Sequence, residues 1–133
     1  RFALGQSAPL RRQRVGSAAQ SQQRRWTSSV MTLSDGDAVK KFRAANSKSV
    51  MYFTATWCPP CKVISPVYAE LSAKYADVAF GKVDVDDNPD AAGEFRIQAV
   101  PTFIFSKGAE EVNKFSGADR GQLEKLLQDH QDS

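Results

Sequence analysis

The stretch Val50–Lys62 (VMYFTATWCPPCK) decides the fold, because a run of β-forming residues leads directly into a helix start that contains two cysteines. After it, apolar residues recur at helical spacing, at Val63, Ile64, Val67, Leu71 and Tyr75. The junction therefore predicts a strand followed at once by a helix. Cys58 would lie where a helix leaves backbone N–H groups unpaired and carries the positive end of its dipole.

Cys58 and Cys61 are the only cysteines, so neither has another partner within the chain. Two thiols three residues apart at such a turn can close on each other, and the helix start favours the thiolate, which is the reactive form. Two cysteines are too few for the several bridges of a small secreted scaffold. The pattern favours dithiol–disulfide exchange, with Cys58 able to be exposed and Cys61 shielded one turn inside the helix.

Length and composition predict one domain and a tail: the chain has 133 residues, of which 41% are hydrophobic and 25% charged. No apolar run approaches the roughly 20 residues of a membrane helix, which predicts a soluble domain that does not insert in a membrane. Residues 1–30 hold six arginines and no acid, whereas residues 31–133 hold 12 basic and 15 acidic residues. The positive net charge belongs to the tail, so it does not indicate nucleic-acid binding by the domain.

Residues 1–27 are predicted to be a disordered presequence rich in Arg, Ser and Gln, with the composition of a mitochondrial transit peptide. They lack the continuous apolar core of a secretory signal. Residues 24–27 form a candidate processing region, and a basic arm that stays attached is the alternative. We therefore expect a domain at residues 28–133 and a location in the mitochondrial matrix, with the cytoplasm or the plastid as alternatives.

Periodicity and turn residues predict the order βαβαβαββα. The predicted strands are Ser28–Leu33, Ser49–Thr54, Val78–Asp84, Thr102–Ser106 and Glu110–Phe115. The predicted helices run from a capping box at Ser34 to Asn46, from Cys58 through a bend at Pro66, over Asn88–Phe95, and onward from a cap at Asp119. The β-α-β steps imply an α/β fold with a mostly parallel sheet, a final antiparallel hairpin and helices on both faces.

The remaining polar candidates carry no predicted chemistry. His130, the only histidine, is expected to be solvated near the end of the last helix. Asp84, Asp86, Asp87 and Asp90 are expected to form a solvated loop and helix start. No ligand spacing is met, so no metal site is expected.

Several motifs occur in a fixed order along residues 30–130, and together they resemble the thioredoxin family. They are Trp57-Cys58-x-Pro60-Cys61-Lys62 followed by Pro66, then Lys82-Val83-Asp84-Val85-Asp86, Val100-Pro101-Thr102, and Ser116-Gly117-Ala118. Within the family, Tyr52-Phe53-Thr54-Ala55-x-Trp57 and Gly117-Ala118-Asp119 are most similar to the o-type mitochondrial thioredoxins of plants.

This resemblance implies a thioredoxin fold, with a central mixed five-stranded sheet flanked by four helices. It implies a monomeric protein-disulfide reductase without a bound cofactor, which receives electrons from NADPH through thioredoxin reductase and reduces disulfides in target proteins. By analogy Cys58 is the attacking thiolate, and Cys61 resolves the mixed disulfide.

The resemblance also assigns roles around the cysteines. Trp57 is expected to be a lid beside the sulfurs rather than a packed aromatic. Pro101 is expected in a cis bond that leaves the Val100 backbone free to pair with an extended substrate segment. Gly117 would keep one wall of the substrate groove low, and Val85 would contact substrates.

The sequence departs from the common family pattern at two positions, Pro59 and Tyr52. Many members have a buried Asp where this chain has Tyr52, which is expected to be a core aromatic because a phenol with a pKa near 10 is a poor base. The proton of Cys61 must then go to water, to the leaving thiolate or to another group. Lys82, a supporting residue in the family, would pair with Asp84 or extend to solvent.

Pro59 replaces the Gly that most members have between the first Cys and the Pro. Pro59 and Pro60 lack N–H groups, so only the backbone N–H of Cys61 and its S–H remain to bond the sulfur of Cys58. We therefore expect the Pro-Pro loop to make Cys58 a poorer thiolate than a Gly-Pro loop would.

Three other functions remain open. One CxxC supplies two of the four ligands of a closed zinc site, but two chains sharing an iron–sulfur cluster could supply four. A disulfide oxidase or isomerase would differ mainly in redox potential. A redox-silent binding module is disfavoured, because both cysteines and their Trp and Pro neighbours are present.

Overall fold

A computed structural model describes residues 29–133. The predicted presequence at residues 1–27 lies outside the described residues, as does Ser28, the first residue of the predicted first strand. The predicted presequence therefore stays a prediction.

All nine predicted elements occur in the predicted order. They are β1 (Val30–Thr32), α1 (Gly36–Ala45), β2 (Ser49–Thr54), α2 (Pro59–Lys74), β3 (Ala79–Asp84), α3 (Pro89–Glu94), β4 (Thr102–Lys107), β5 (Glu110–Ser116) and α4 (Arg120–Asp132). The longest helix, α2, is continuous through Pro66. Within residues 29–133, no helix has both the length and the apolar character needed to cross a membrane.

The strands form one sheet in the order β1-β3-β2-β4-β5. The strands β1 and β2 both pair with β3 in parallel, while β4 pairs antiparallel with β2 and with β5. The expected mixed five-stranded sheet with four helices is therefore confirmed. A register shift between Phe105 and Ser106 interrupts the β4–β5 hairpin.

Strand β2 lies at the centre of the sheet, and all six of its residues are buried. Val50 and Tyr52 point into the core layer that contains α2 and α4, whereas Met51 and Phe53 point into the layer that contains α1 and α3. Successive side chains of a strand alternate between its faces, so a strand covered on both sides needs a continuous apolar run.

Helix α1 begins one residue later than the sequence predicts. Asp35, not Ser34, is the N-cap residue, and its Oδ1 accepts a hydrogen bond from the Ala38 N–H at 2.7 Å. Ser and Asp rank similarly as N-caps, but the carboxylate also interacts favourably with the positive end of the helix dipole.

The expectation that His130 is solvated is wrong, because the residue is only 5% exposed. Its Nε2 lies 3.2 Å from the carbonyl oxygen of Ser49 and 3.1 Å from that of Ser106, so it bonds the end of α4 to β2 and β4. His130 follows Leu123 and Leu127 on the same helix face at spacings of four and three residues, which was the available signal.

We expect the stability of the protein to fall as the pH drops below about 6.5, because of His130. Burial lowers the pKa of His130 and outweighs the two carbonyl contacts, which raise it, and the nearby Lys48 and Lys107 lower it further. Because the pKa of His130 is lower in the folded state, the contribution of this residue to the free energy of unfolding is complete above the ordinary pKa near 6.5. That contribution is lost as the pH falls through the folded-state pKa.

Urea denaturation of the wild type and of His130→Gln at several pH values measures this effect. The variant should lose about 1 kcal/mol at pH 7, because the paired carbonyls lose a well-placed donor, and its stability should depend less on pH. If the free energy of unfolding varied with pH equally steeply in the two proteins, His130 would not be the cause of the pH dependence.

Candidate active site

The loop from β2 to α2 places Cys58 at the N-cap of the helix. Its backbone is extended, and its Sγ accepts a hydrogen bond from the Cys61 N–H at 3.2 Å. Pro59 and Pro60 occupy the first two helical positions. The sequence prediction that only the Cys61 N–H is left to bond the sulfur is therefore consistent with the geometry.

Cys58 and Cys61 form a disulfide, with their Cα atoms 5.3 Å apart. Their predicted pairing is confirmed, and residues 29–133 contain no free cysteine. Because the bond closes a ring within the first turn of α2, both sulfurs are fixed by the same helix start.

The expectation that Cys58 is exposed is wrong for this oxidised state, whereas the expected shielding of Cys61 is confirmed. Cys58 is 2% exposed and Cys61 is 1% exposed. The Sγ of Cys58 lies 3.6 Å from the carbonyl oxygen of Val100, so the segment before β4 packs against the helix start. A position at a helix start leaves a side chain accessible only where no other segment packs on that turn.

The peptide bond between Val100 and Pro101 is cis, as the family resemblance predicts. Gly117 donates its N–H to the carbonyl oxygen of Pro101 at 2.9 Å and has φ 119, a conformation that favours glycine. The structure thus places Val100 against Cys58 and Gly117 against Pro101. The roles of these three residues stay predictions.

Trp57 lies on the surface beside the disulfide and is 65% exposed, so it is not a packed core aromatic. Its indole Nε1 donates a hydrogen bond to Asp86 Oδ2 at 2.9 Å. Val85, which precedes Asp86 in the chain, is half-buried and donates its N–H to the carbonyl oxygen of Thr54. The hydrogen bond gives the exposed indole a preferred position.

Tyr52 is a core aromatic, as expected, and it also contacts the backbone of the second cysteine. Its hydroxyl donates to the carbonyl oxygen of Cys61 at 2.9 Å and lies 2.8 Å from Ser65 Oγ, which also donates to that carbonyl at 2.8 Å. The ring stacks on Phe103 with centroids 5.1 Å apart. Sequence reasoning missed Ser65, although a helical Ser four residues after a carbonyl can bond back to it.

A cavity of about 290 Å³ reaches Cys61. Its described lining residues include Ser65, Lys82 and Asp84. The side chain of Lys82 makes no ion pair with any described residue, so it does not pair with Asp84 here. Asp84 instead accepts hydrogen bonds from the backbone N–H groups of Asp86 and Asp87 at 2.8 and 3.3 Å.

No group of three or more His, Cys, Asp or Glu side chains within residues 29–133 is arranged to hold a metal ion. The chemically distinctive feature is therefore the dithiol–disulfide pair at the helix start. A thiolate there can exchange with a second disulfide, and the neighbouring thiol can complete the exchange.

Comparison with known proteins agrees with this chemistry. The family model for thioredoxin matches residues 29–129. Thioredoxin H-type of Brassica campestris is 45% identical over 92 residues, which cover 69% of this chain and 75% of the relative. Thioredoxin H3 of Arabidopsis thaliana is 46% identical over 97 residues, covering 71% and 82%.

Solved structures show the same architecture. Mitochondrial thioredoxin 3 of Saccharomyces cerevisiae in its oxidised form is 39% identical, with a TM-score of 0.73 over 76% of this chain and 95% of that one. Thioredoxin NaTrxh of Nicotiana alata is 40% identical, with a TM-score of 0.72 over 77% and 93%. The chain therefore belongs to the thioredoxin family, has the thioredoxin fold and is a thioredoxin-type disulfide oxidoreductase.

Proposed function

We propose that the protein is a protein-disulfide reductase in which Cys58 attacks a target disulfide and Cys61 resolves the intermediate. The observation that carries this proposal is the Cys58–Cys61 disulfide on the first turn of α2, next to the carbonyl group of Val100. The disulfide is the oxidised product that such a reaction would leave.

The exchange has two steps. The thiolate of Cys58 attacks one target sulfur, forms a mixed disulfide and releases the other target sulfur as a thiolate. The thiolate of Cys61 then attacks the Sγ of Cys58, forms the intramolecular disulfide and releases the second target sulfur. Two electrons pass to the target, and two protons end on its thiols. Thioredoxin reductase, using NADPH, would restore the dithiol.

The backbone of Val100 supports a role in target binding. Its N–H makes no hydrogen bond to a described backbone group, and its carbonyl oxygen is contacted by the sulfur of Cys58 alone among the described contacts. An extended target segment could pair with these free groups in the manner of an added strand. Such pairing would place a target sulfur over Cys58, while Trp57 and Gly117 border the segment.

The proton of the Cys61 thiol would leave through the cavity of about 290 Å³ that reaches this residue. Tyr52 holds the carbonyl of Cys61 rather than removing its proton, because the phenol already donates there and is a poor base at neutral pH. Water in this cavity is the acceptor that we infer.

We further propose that residues 1–27 form a transit peptide, that residues 28–133 form the thioredoxin domain, and that the mature protein works as a monomer in the mitochondrial matrix. The acid-free, Arg-rich composition of the segment supports this location. The o-type plant thioredoxins are the proposed subclass. Import of the full chain fused to a fluorescent protein, compared with a fusion lacking residues 1–27, tests the location.

We predict that each cysteine fails in a different way. With NADPH and thioredoxin reductase, Cys58→Ser should reduce insulin disulfides no faster than the uncatalysed reaction, because the attacking sulfur is absent. Cys61→Ser should instead accumulate a mixed disulfide, visible as a covalent adduct on a non-reducing gel.

Activity in Cys58→Ser, or no adduct with Cys61→Ser, would contradict these assignments. Measurement of the redox potential separates a reductase from an oxidase or isomerase, and a coloured dimer from anaerobic purification would instead indicate a cluster-binding module.

We predict that Pro59→Gly lowers the pKa of the Cys58 thiol, because it restores an N–H group on the first turn beside the sulfur. Alkylation of the reduced protein by iodoacetamide below neutral pH should become about twofold faster, since a weaker nucleophile offsets part of the gain in thiolate. Pro89→Gly is a matched control, because Pro89 holds the same first position in α3, away from the cysteines. An unchanged or higher pKa of Cys58 in Pro59→Gly would refute the prediction.

We predict that Asp86→Ala slows the reduction of protein disulfides about fivefold, because it removes the acceptor that positions the Trp57 indole. Asp87→Ala removes the neighbouring exposed carboxylate, whose oxygens bond no described residue, and should change the rate little. Rates with insulin at concentrations below saturation measure both variants. Equal losses would indicate a general charge effect rather than loss of the indole contact.

A further inference from the structure

A second cavity, of about 320 Å³, adjoins the proposed target-binding segment. We call it the basic pocket, and its described lining residues are Arg96, Gln98, Ala99, Thr102, Lys114 and Ser116. Two of these residues are cations and none is an acid. No step of the proposed exchange reaction uses this pocket.

The backbone at Arg96 is unusual. Among the described residues it is the non-glycine position with a positive φ, at 54°. Arg96 lies directly after the C-cap of α3, where its N–H donates to the Gly93 carbonyl at 3.2 Å and the Ile97 N–H donates to the Ala92 carbonyl at 2.9 Å. Glycine is the usual residue at this position of such a helix end, because side chains are strained there. A strained conformation that carries a long side chain points to a function for that side chain.

The guanidinium group of Arg96 is free to bind a ligand. Arg96 is exposed, and its side chain makes no hydrogen bond or ion pair with any described residue. The Nζ of Lys114 donates to the carbonyl oxygens of Phe95 and Arg96 at 3.2 and 3.3 Å, so it fixes the loop and adds a second positive charge. A planar guanidinium with unpaired donors matches the geometry of a carboxylate.

The basic pocket shares a wall with the segment that contacts Cys58. Ala99 and Thr102 flank Val100 and Pro101, and the hydroxyl of Thr102 donates to the Ala99 carbonyl at 2.7 Å. Ser116, which precedes Gly117, lies 2.9 Å from the same hydroxyl. Because Ala99 and Thr102 directly flank Val100 and Pro101, we expect target residues within about three positions of the cysteine to meet the pocket.

We propose that the basic pocket binds a carboxylate side chain of the target protein close to the target disulfide, and that Arg96 determines this specificity. The inference rests on the proposed reductase function and names a class of its targets. The charges around the proposed target-binding segment are asymmetric, because Asp86 bonds Trp57 whereas Arg96 and Lys114 line the pocket that contains Ala99, the residue before Val100. An acidic target residue is therefore attracted to the basic pocket and repelled from the carboxylate beside Trp57.

The test uses peptide disulfides that differ only in Glu, Gln or Lys at each of the three positions on either side of the cysteine. At low salt, the wild type should reduce the best Glu peptide about two- to fivefold faster than its Gln counterpart, the effect of one exposed ion pair. Arg96→Gln should bring this ratio close to one. Lys107→Gln removes the same charge at the opposite end of β4 and should leave the ratio unchanged. High salt should abolish the preference.

Arg96→Gly provides a second readout. It should raise the urea midpoint of unfolding, because glycine relieves the backbone at φ 54, and it should still lose the preference for Glu. If the wild type reduces Glu and Gln peptides equally, or prefers Lys, the pocket proposal is overturned and the reductase function is not. If no peptide is reduced at all, the reductase function fails and the pocket proposal fails with it.

Discussion

Burial of β2 on both faces is the constraint on which the site depends. The strand is paired with β3 on one side and β4 on the other, and its side chains enter both core layers, so it has no freedom to shift in register. A shift by one residue would exchange the two sets of side chains between the layers. Because β2 ends at Thr54 and α2 begins at Pro59, the position of Cys58 is fixed by the strand.

Tyr52 strengthens this connection. Its ring lies in the core layer that contains α2 and α4. Its hydroxyl donates a hydrogen bond to the carbonyl oxygen of Cys61, and the hydroxyl of Ser65 donates to the same oxygen. The residue thus joins the central strand to the first turn of the helix that holds both sulfurs. A neutral phenol can make this link without placing a charge in the core, where an unpaired carboxylate would be costly. Tyr52 therefore supports the active site through a hydrogen bond but does not supply the buried carboxylate base that many family members have at this position.

The sequence predicted the features that depend on residues close to one another in the chain. The strand β2, the helix α2 and the pairing of Cys58 with Cys61 follow from periodicity and from residues within a few positions of one another. The burial of Cys58 could not be predicted in this way, because it depends on Val100, which is 42 residues away in the chain. The hydrogen bonds of His130 could not be predicted for the same reason, because its partners belong to β2 and β4, although its place on the apolar face of α4 can be read from the sequence. The backbone of Arg96 was not predictable either, since a helix end of this type is expected at Gly or Asn.

The margins of the sheet have a consequence for self-association. Strand β1 has only three residues, and β5 is an exposed edge strand that carries Glu110, Glu111 and Lys114 next to an irregularity in its pairing. Short edges, charged side chains and bulges all hinder the addition of a further strand from another molecule. Edge-to-edge polymerisation is therefore disfavoured at both edges of the sheet. Addition of a target segment at the backbone of Val100, as proposed above, would not involve either edge of the sheet.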